Sequence, residues 1–347
     1  MELERDVSLA QKTTLGVGGN AECFARAASE AAVGRALAWA REQGRRVYVL
    51  GGGSNIVVSD AGVAGLVLAV RLRGIDWHDD GSATVAAGEP WDGFVRGAVE
   101  RGLAGVECLS GVPGLSGATP IQNVGAYGQE VSETIERVVA VDRATGERVE
   151  LTRSDCDFAY RDSFFKRDAP DRFVVLAVVF RLRPGGAPKL AYPELERAVP
   201  AAPSLAEVRA TVLALRAKKS MLFDPADENG RSCGSFFVNP IVSAEQAARI
   251  AADDMPRYPQ ADGRVKLSAA WLIERSGLAK GTRDGNVGLS TKHTLCIVAH
   301  AGARSDEVLA FASRVQRTVH ARFGISLEPE PVLWGFGSGL PELGPGE

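Results

Sequence analysis

Cysteine and histidine are sparse. Five cysteines (Cys23, Cys108, Cys156, Cys233 and Cys296) and four histidines are scattered over 347 residues. No two cysteines form a Cys-x-x-Cys pair. That spacing gives no basis for a metal site or a disulfide framework, and a reducing cytoplasm is the expected compartment. Charge of one sign is also missing. The near-neutral net charge of -3 argues against a broad nucleic-acid surface, which needs clustered Lys and Arg. No apolar run is long: Val63–Val70 and Phe173–Phe180 are far too short to span a bilayer. The opening MELERDVSLAQKTT has no apolar stretch behind it and does not read as a signal peptide. Internal repeats and low-complexity segments are absent as well.

Glycine-rich loops are what the chain does have. Gly111 to Gly128, GVPGLSGATPIQNVGAYG, packs Gly, Pro, Ser, Thr, Gln and Asn around scattered apolar anchors. Gly and Pro break helices and strands alike, and long ordered loops tend to be functional. A second such loop, Leu50-Gly51-Gly52-Gly53-Ser54-Asn55, follows the apolar run Val47-Tyr48-Val49. Bare peptide N–H groups in such loops can approach an anion closely, so the pair points to a large phosphate-containing cofactor. Gly16-Val17-Gly18-Gly19-Asn20-Ala21 fits G-x-G-x-x-A on paper, but no strand precedes it and no helix opens on it. A Rossmann site is therefore not expected. Neither Gly loop continues into Gly-Lys-Ser/Thr, so a P-loop is not expected either.

The pattern predicts a helix over 29–44 with Ser29 as N-cap, and strands at Arg46–Leu50, Val63–Val70 and Ala83–Ala87. It also predicts a helix from Pro90 to near Gly102, and a hairpin of Arg137–Asp142 and Glu147–Thr152 around Arg143-Ala144-Thr145-Gly146. Phe173–Arg183 reads as a buried strand. Five prolines and Gly185-Gly186 between Arg183 and Pro203 suggest a domain boundary. Beyond it, Ser204-x-x-Glu207 and Ser243-x-x-Gln246 fit capping boxes. Helices are expected over Leu267–Ser276 and Ser305–Arg322, a strand over Thr294–His300, and a frayed tail over Gly335–Glu347. Short strands and a hairpin depart from strict β-α-β alternation, so the reading is an α+β cofactor domain followed by a smaller α+β domain.

Four further segments carry candidate chemistry. Arg161, in Phe158-Ala159-Tyr160-Arg161-Asp162-Ser163, is either half of a surface Arg–Asp pair or a cation held to neutralise a developing anion. Ser235, in Cys233-Gly234-Ser235-Phe236-Phe237-Val238-Asn239-Pro240, is either a turn Ser opening a strand or a proton donor in a dry aromatic pocket. It does not sit in a hydrolase G-x-S-x-G elbow. Ser326-Leu327-Glu328-Pro329-Glu330-Pro331 is stiffened by two prolines. It is either a solvated edge strand or a rigid mount for a functional Glu. Lys218-Lys219 follows a helix and reads as solvated, though well placed to meet a phosphate.

Taken in order, these segments resemble one family, the UDP-N-acetylenolpyruvoylglucosamine reductases. The likeness covers nearly the whole chain. It is carried by Thr14-Leu15-Gly16-Val17-Gly18-Gly19, Gly51-Gly52-Gly53-Ser54-Asn55, the 111–128 loop, Tyr160-Arg161-Asp162-Ser163, Gly234 to Pro240, Tyr258-Pro259-Gln260-Ala261-Asp262-Gly263 and Leu327-Glu328-Pro329-Glu330. Ala191-Tyr192-Pro193-Glu194-Leu195 fits the longer class, in which a Tyr on a mobile loop closes over the UDP-sugar.

The resemblance implies an α+β fold: an FAD-binding domain of the vanillyl-alcohol-oxidase (PCMH) type over 1–190, in lobes of 1–70 and 71–190. A substrate-binding domain over 204–325 would follow, then a C-terminal segment, 326–347, carrying a catalytic Glu. It implies non-covalent FAD, NADPH as co-substrate, and reduction of an enolpyruvyl UDP-sugar to UDP-N-acetylmuramate in peptidoglycan precursor synthesis. It implies Arg161, Ser235 and Glu330 as catalytic residues. FAD would be held by Gly51, Gly52, Gly53, Ser54, Asn55, Ile56, Gly114, Ser116, Gly117, Gln122, Asn123, Gly125, Ala126 and Gly128. Substrate would meet Tyr127, Tyr192, Lys219 and Asn239. The partners expected are small molecules, without nucleic acid, membrane insertion or metal, and the chain is expected to be a cytoplasmic monomer. Pro331-Val332 stands where some relatives carry Val-Arg, so an extra Arg contact is not supplied there. A loop two residues longer before Ser235 loosens the match at Lys219. Two other readings stay open: another flavoprotein of the same fold, and a non-catalytic UDP-sugar-binding module. Oxidases of that fold often tether FAD through His or Cys, and neither Gly loop contains one; a colourless protein would favour the binding module.

Overall fold

The structure is a computed structural model that describes residues 2–224, 226–250, 252 and 254–337. The chain packs as two compact units. The first is built from residues up to 7, 21–53 and 64–222; the second from 8–20, 54–63 and the described residues from 223 onward.

In the first unit, two sheets divide the chain in order. Glu4–Ser8, Asn20–Ala27, Val63–Val70 and Val47–Leu50 lie side by side in a four-stranded sheet. The second sheet runs Arg148–Thr152, Ile135–Asp142, Phe173–Arg181, Ser82–Ala86, Ile75–Trp77, antiparallel throughout. Phe173–Arg181 is the central strand, which explains its near-continuous Val and Phe content: both its faces are buried. Helix Glu30–Glu42 starts at Ser29, whose hydroxyl accepts the Ala32 N–H. Helix Trp91–Glu100 follows Pro90, and Phe94 stacks on Phe180 with centroids 4.8 Å apart.

The stretch 183–203, where a domain boundary is expected, is a structured segment of the first unit. It contains helix Pro193–Ala198, with proline at the first turn, where a missing N–H costs nothing. Leu195 of that helix is fully buried with Cys108, Tyr127, Val208 and Val212. Helix Leu205–Lys218, opened by a Ser204–Glu207 capping box, also packs in this unit. Arg209 pins it to Asp92 through two hydrogen bonds of 2.7 and 2.8 Å.

The second unit has its own core, centred on Phe236, Phe237, Leu272, Ile273, Val308 and Val315. Ser232–Ser235, Cys296–Ala299, Val287–Leu289 and Arg283–Asp284 form one sheet; Ile241–Val242, Val265–Leu267 and Arg257–Pro259 form another. Helix Ser305–Phe323 ends at Gly324. The short helix Ala269–Arg275 starts two residues later than expected, because Leu267 still belongs to a strand. Val332–Trp334 pairs in parallel with Ile56–Val58, joining two of the three pieces of this unit. From residue 338 the Gly/Pro-rich tail lies outside the described residues. Among the described residues, no helix is long and apolar enough to cross a membrane.

Candidate active site

The two glycine loops meet backbone to backbone in the first unit. A Cβ on Gly52 would lie 2.7 Å from the Cα of Gly114, a distance real Cβ atoms do not reach, so the loops require glycine there. Backbone bonds brace the second loop. Gly114 accepts the Trp91 N–H at 3.1 Å, while Ser116 and Gly117 donate theirs to Glu89 and Ala87 at 2.9 Å each. The Ser116 and Gly117 amides are thus spent on holding the loop's shape. A residue the sequence reading missed supports the first loop. Arg71 donates to the carbonyls of Val70, Gly51 and Leu50 at 2.7, 3.2 and 3.4 Å, and burial lowers its pKa. A single Arg after an apolar strand carries no motif that could have marked it.

The end of the 111–128 loop is more regular than its composition suggests. Gly125–Ala126 pairs antiparallel with Gln129–Glu130. Tyr127 and Gly128 between them have φ of +47° and +79°, the signature of a type I′ hairpin turn. Gln122 is half-buried just ahead of Asn123, which is 1% exposed and has φ +46°. The Asn123 amide nitrogen donates to Glu130 Oε2 at 2.8 Å and to the Ala159 carbonyl at 2.9 Å. Its oxygen accepts the Ser132 N–H at 3.1 Å. The side chain expected to touch FAD is therefore engaged within the protein, where it ties the hairpin to the Arg161 turn.

Arg161 occupies a tight corner. Ala159 and Asp162 exchange both backbone hydrogen bonds, at 3.0 and 3.2 Å. Arg161 then adopts φ +55°, a left-handed conformation that costs a non-Gly residue on the order of 1 kcal/mol. Its guanidinium donates to the Gly125 carbonyl and, at 3.4 Å, to that of Asn123. Lys166 Nζ caps the Arg161 carbonyl at 2.9 Å. Asp162 pairs with Arg167 at 2.7 Å. Arg161 is thus turned toward the glycine hairpin, and a strained backbone sets its direction in advance.

Tyr127, Tyr192 and Lys219 form one cluster. The two rings meet edge to face at 5.6 Å, and Lys219 Nζ lies 5.6 Å from the Tyr127 centroid. Lys219 caps the end of helix Leu205–Lys218 and pairs with Glu194 at 2.5 Å, so it is not simply solvated. Burial pushes the Tyr127 phenol up to about 12, so it stays a neutral donor.

In the second unit, Ser235 ends the strand Ser232–Ser235 rather than opening one. A bulge precedes it, and it pairs with Cys296. Phe236 and Phe237 behind it are buried, in edge contact at 5.3 Å. Residues 328–330 then pair with 236–238. Val238 N–H donates to the Glu328 carbonyl at 3.0 Å, Glu330 N–H donates to that of Phe236 at 2.9 Å, and Pro329 bridges Phe237. The Glu-Pro-Glu segment is thus paired, with Glu328 exposed and Glu330 half-buried. Asn55 joins the same assembly: its amide donates to the Glu330 carbonyl at 3.2 Å and its own carbonyl accepts the Val332 N–H at 3.0 Å. Ser54, Asn55 and Ile56 therefore share this unit with Ser235 and Glu330. Asn239 receives the Ala269 N–H at 2.9 Å, which commits its oxygen to the start of a helix. Cys233 is buried and its thiol is raised to about 12, which makes it an inert neighbour.

Glycine loops in backbone contact suit a phosphate-bearing cofactor. Residues 21–152 match the model of an FAD binding domain, which makes the chain a flavoprotein. Residues 224–334 match the C-terminal domain of UDP-N-acetylenolpyruvoylglucosamine reductase. The enzyme of that name from Thermobifida fusca is 46% identical, over 95% of this chain and 98% of its own. The one from Pseudomonas aeruginosa is 43% identical, over 96% and 99%. The crystal structure of UDP-N-acetylenolpyruvylglucosamine reductase (MurB) from Thermus caldophilus superposes with a TM-score of 0.68 at 27% identity, covering 96% of this chain and 99% of that one. The chain belongs to the UDP-N-acetylenolpyruvoylglucosamine reductase family.

Proposed function

We infer that this chain is an FAD-dependent UDP-N-acetylmuramate dehydrogenase. It uses NADPH to reduce UDP-N-acetyl-3-O-(1-carboxyvinyl)glucosamine to UDP-N-acetylmuramate. The observation that carries this reading is the presence, in one chain, of both the FAD binding domain and the reductase C-terminal domain, in relatives matched over nearly their full length. The glycine contact at Gly52 and Gly114 suits FAD, because bare peptide groups can approach a pyrophosphate closely. Gly51, Gly52, Gly53, Ser54, Asn55, Ile56, Gly114, Gln122, Gly125, Ala126 and Gly128 are the proposed contacts. Ser116, Gly117 and Asn123 act by holding the loops. Bound FAD supplies the redox chemistry, carrying two electrons from NADPH to the substrate.

The protein's own work is electrostatic and acid–base. As C3 of the enolpyruvyl group is reduced, negative charge develops on C2 and spreads into the conjugated carboxylate. Arg161 is assigned to that charge. Its direction is fixed before substrate arrives, so little reorganisation is needed when the charge appears. Ser235 gives its hydroxyl proton to C2, forming the C–H bond and leaving an alkoxide that solvent reprotonates. Glu330 assists that step. Phe236 and Phe237 keep the base of the Ser235 strand dry. Tyr127, Tyr192, Lys219 and Asn239 are the proposed substrate contacts. We assign FAD binding to 1–190, substrate binding to 204–325 and the Glu330 mount to 326–347. A monomer in the cytoplasm, handling small molecules only, completes the proposal.

The test is steady-state oxidation of NADPH. It should require the enolpyruvyl UDP-sugar and yield a product two mass units heavier than that substrate. Oxidation that proceeds without the UDP-sugar and leaves it unchanged would point to another flavoprotein activity.

A further inference from the structure

The Lys219 cluster contains a negative group that the reaction does not use. Glu194 stands two residues after Tyr192, in the first turn of helix Pro193–Ala198. Its Oε2 lies 2.5 Å from Lys219 Nζ, and the two side chains are 35% and 25% exposed. Buried Leu195 anchors the helix and so fixes the start of the partly exposed Glu194 side chain. Tyr127 closes the other side, with its ring 5.6 Å from the same Nζ. The ammonium therefore already has an anion, supplied by the segment that carries Tyr192.

We propose that Glu194 is an internal competitor for Lys219, occupying the place of a substrate phosphate and setting the affinity for the UDP group. This rests on the assignment of Lys219 to the UDP-sugar. A diphosphate arriving at this ammonium meets the Glu194 carboxylate as a like charge, so binding favours the state with Glu194 turned away. A partly exposed ion pair holds its partner by a factor of about two to five over the open state. Apparent affinity drops about three- to sixfold, since only the open fraction, one part in one plus that factor, is competent. Product carries the same diphosphate, so the competition also speeds product release.

The experiment is calorimetric titration of the FAD-loaded protein with UDP, for the parent chain, Glu194→Gln, Lys219→Ala and the double variant. Glu194→Gln should bind UDP about three- to sixfold more tightly. Lys219→Ala should bind at least about tenfold more weakly, the scale of a lost charge-assisted bond to phosphate. In the Lys219→Ala background the Glu194 change should have no effect, because no cation remains to compete for. If Lys219→Ala weakens binding but Glu194→Gln does not tighten it, the competitor role is wrong while the Lys219 assignment stands. If Lys219→Ala leaves binding unchanged, the Lys219 assignment fails and the inference falls with it. Tightening by Glu194→Gln without Lys219 would mean a general charge effect and would also overturn it. Thermal melts confirm folding, since the pair is part-exposed and the core beneath it is untouched.

Discussion

The corner around Arg161 and the strand end at Ser235 hold their functional groups in opposite ways. Arg161 is set by strain and carbonyls: a left-handed backbone, two accepting carbonyls and a lysine cap. Ser235 is set by strand register: Cys296 on one side, and residues 328–330 paired with the residues that follow it. The difference matches the roles proposed for them. A cation that stabilises a brief charge must be aimed beforehand, and its direction depends on many neighbours. A hydroxyl that gives one proton needs only a fixed Cα and a dry base. Substitutions near Arg161 should therefore disturb geometry, while removal of the Ser235 hydroxyl should remove chemistry alone.

Ser235→Ala is the sharpest cut. Stopped-flow absorbance should show NADPH reducing the flavin at near the parent rate. Reoxidation by the UDP-sugar should fall by about 10²–10⁴ or more, the reach of general acid catalysis. Ser235→Cys should recover part of that loss. Equal slowing of both halves would mean a displaced flavin and would withdraw the proton-donor role. Arg161→Lys comes next. A single ammonium cannot reproduce the fork, and kcat should drop about 100-fold or more. Near-parent turnover in a folded protein would remove Arg161 from the mechanism.

Gly125→Ala tests the aiming itself. Its Cβ would come within 2.7 Å of Arg161 Nη1 and 2.8 Å of Glu130 Cγ, so the guanidinium must shift. Turnover per bound flavin should fall about tenfold, as expected of a misplaced charge; the rate is taken per flavin because Gly125 is also a proposed FAD contact. Unchanged kcat would show that the corner tolerates what strain was said to fix. Tyr192→Phe should have the smallest effect, a rise of about two- to fivefold in KM for the UDP-sugar with kcat little altered. An unchanged KM would take the hydroxyl out of substrate binding.

Local signals made much of the fold legible. Ser29 marked the start of one helix, and the Ser204–Glu207 and Ser243–Gln246 boxes marked two more. The Val-rich run at 173–181 announced a strand buried on both faces. What stayed hidden depended on partners distant in sequence. Pro193 reads as a breaker until Leu195 is seen to bury itself, which turns the breaker into a helix start. Tyr127 gives no turn signal, because the type I′ position is normally Asn or Gly. The pairing of 236–238 with 328–330 spans about ninety residues and leaves no local trace. At the candidate site, residue identities could be read through family resemblance, but commitments could not. Asn123 is spent on the hairpin, and Lys219 already holds Glu194.

The central claim is that electrons pass from NADPH through a flavin in this chain to an enolpyruvyl UDP-sugar. Anaerobic titration of the purified protein, followed by its visible spectrum, tests it most directly. NADPH should bleach the flavin bands, and one equivalent of UDP-N-acetyl-3-O-(1-carboxyvinyl)glucosamine should restore them while UDP-N-acetylmuramate forms. A colourless protein, or a bleached flavin that the UDP-sugar leaves reduced, would contradict the account.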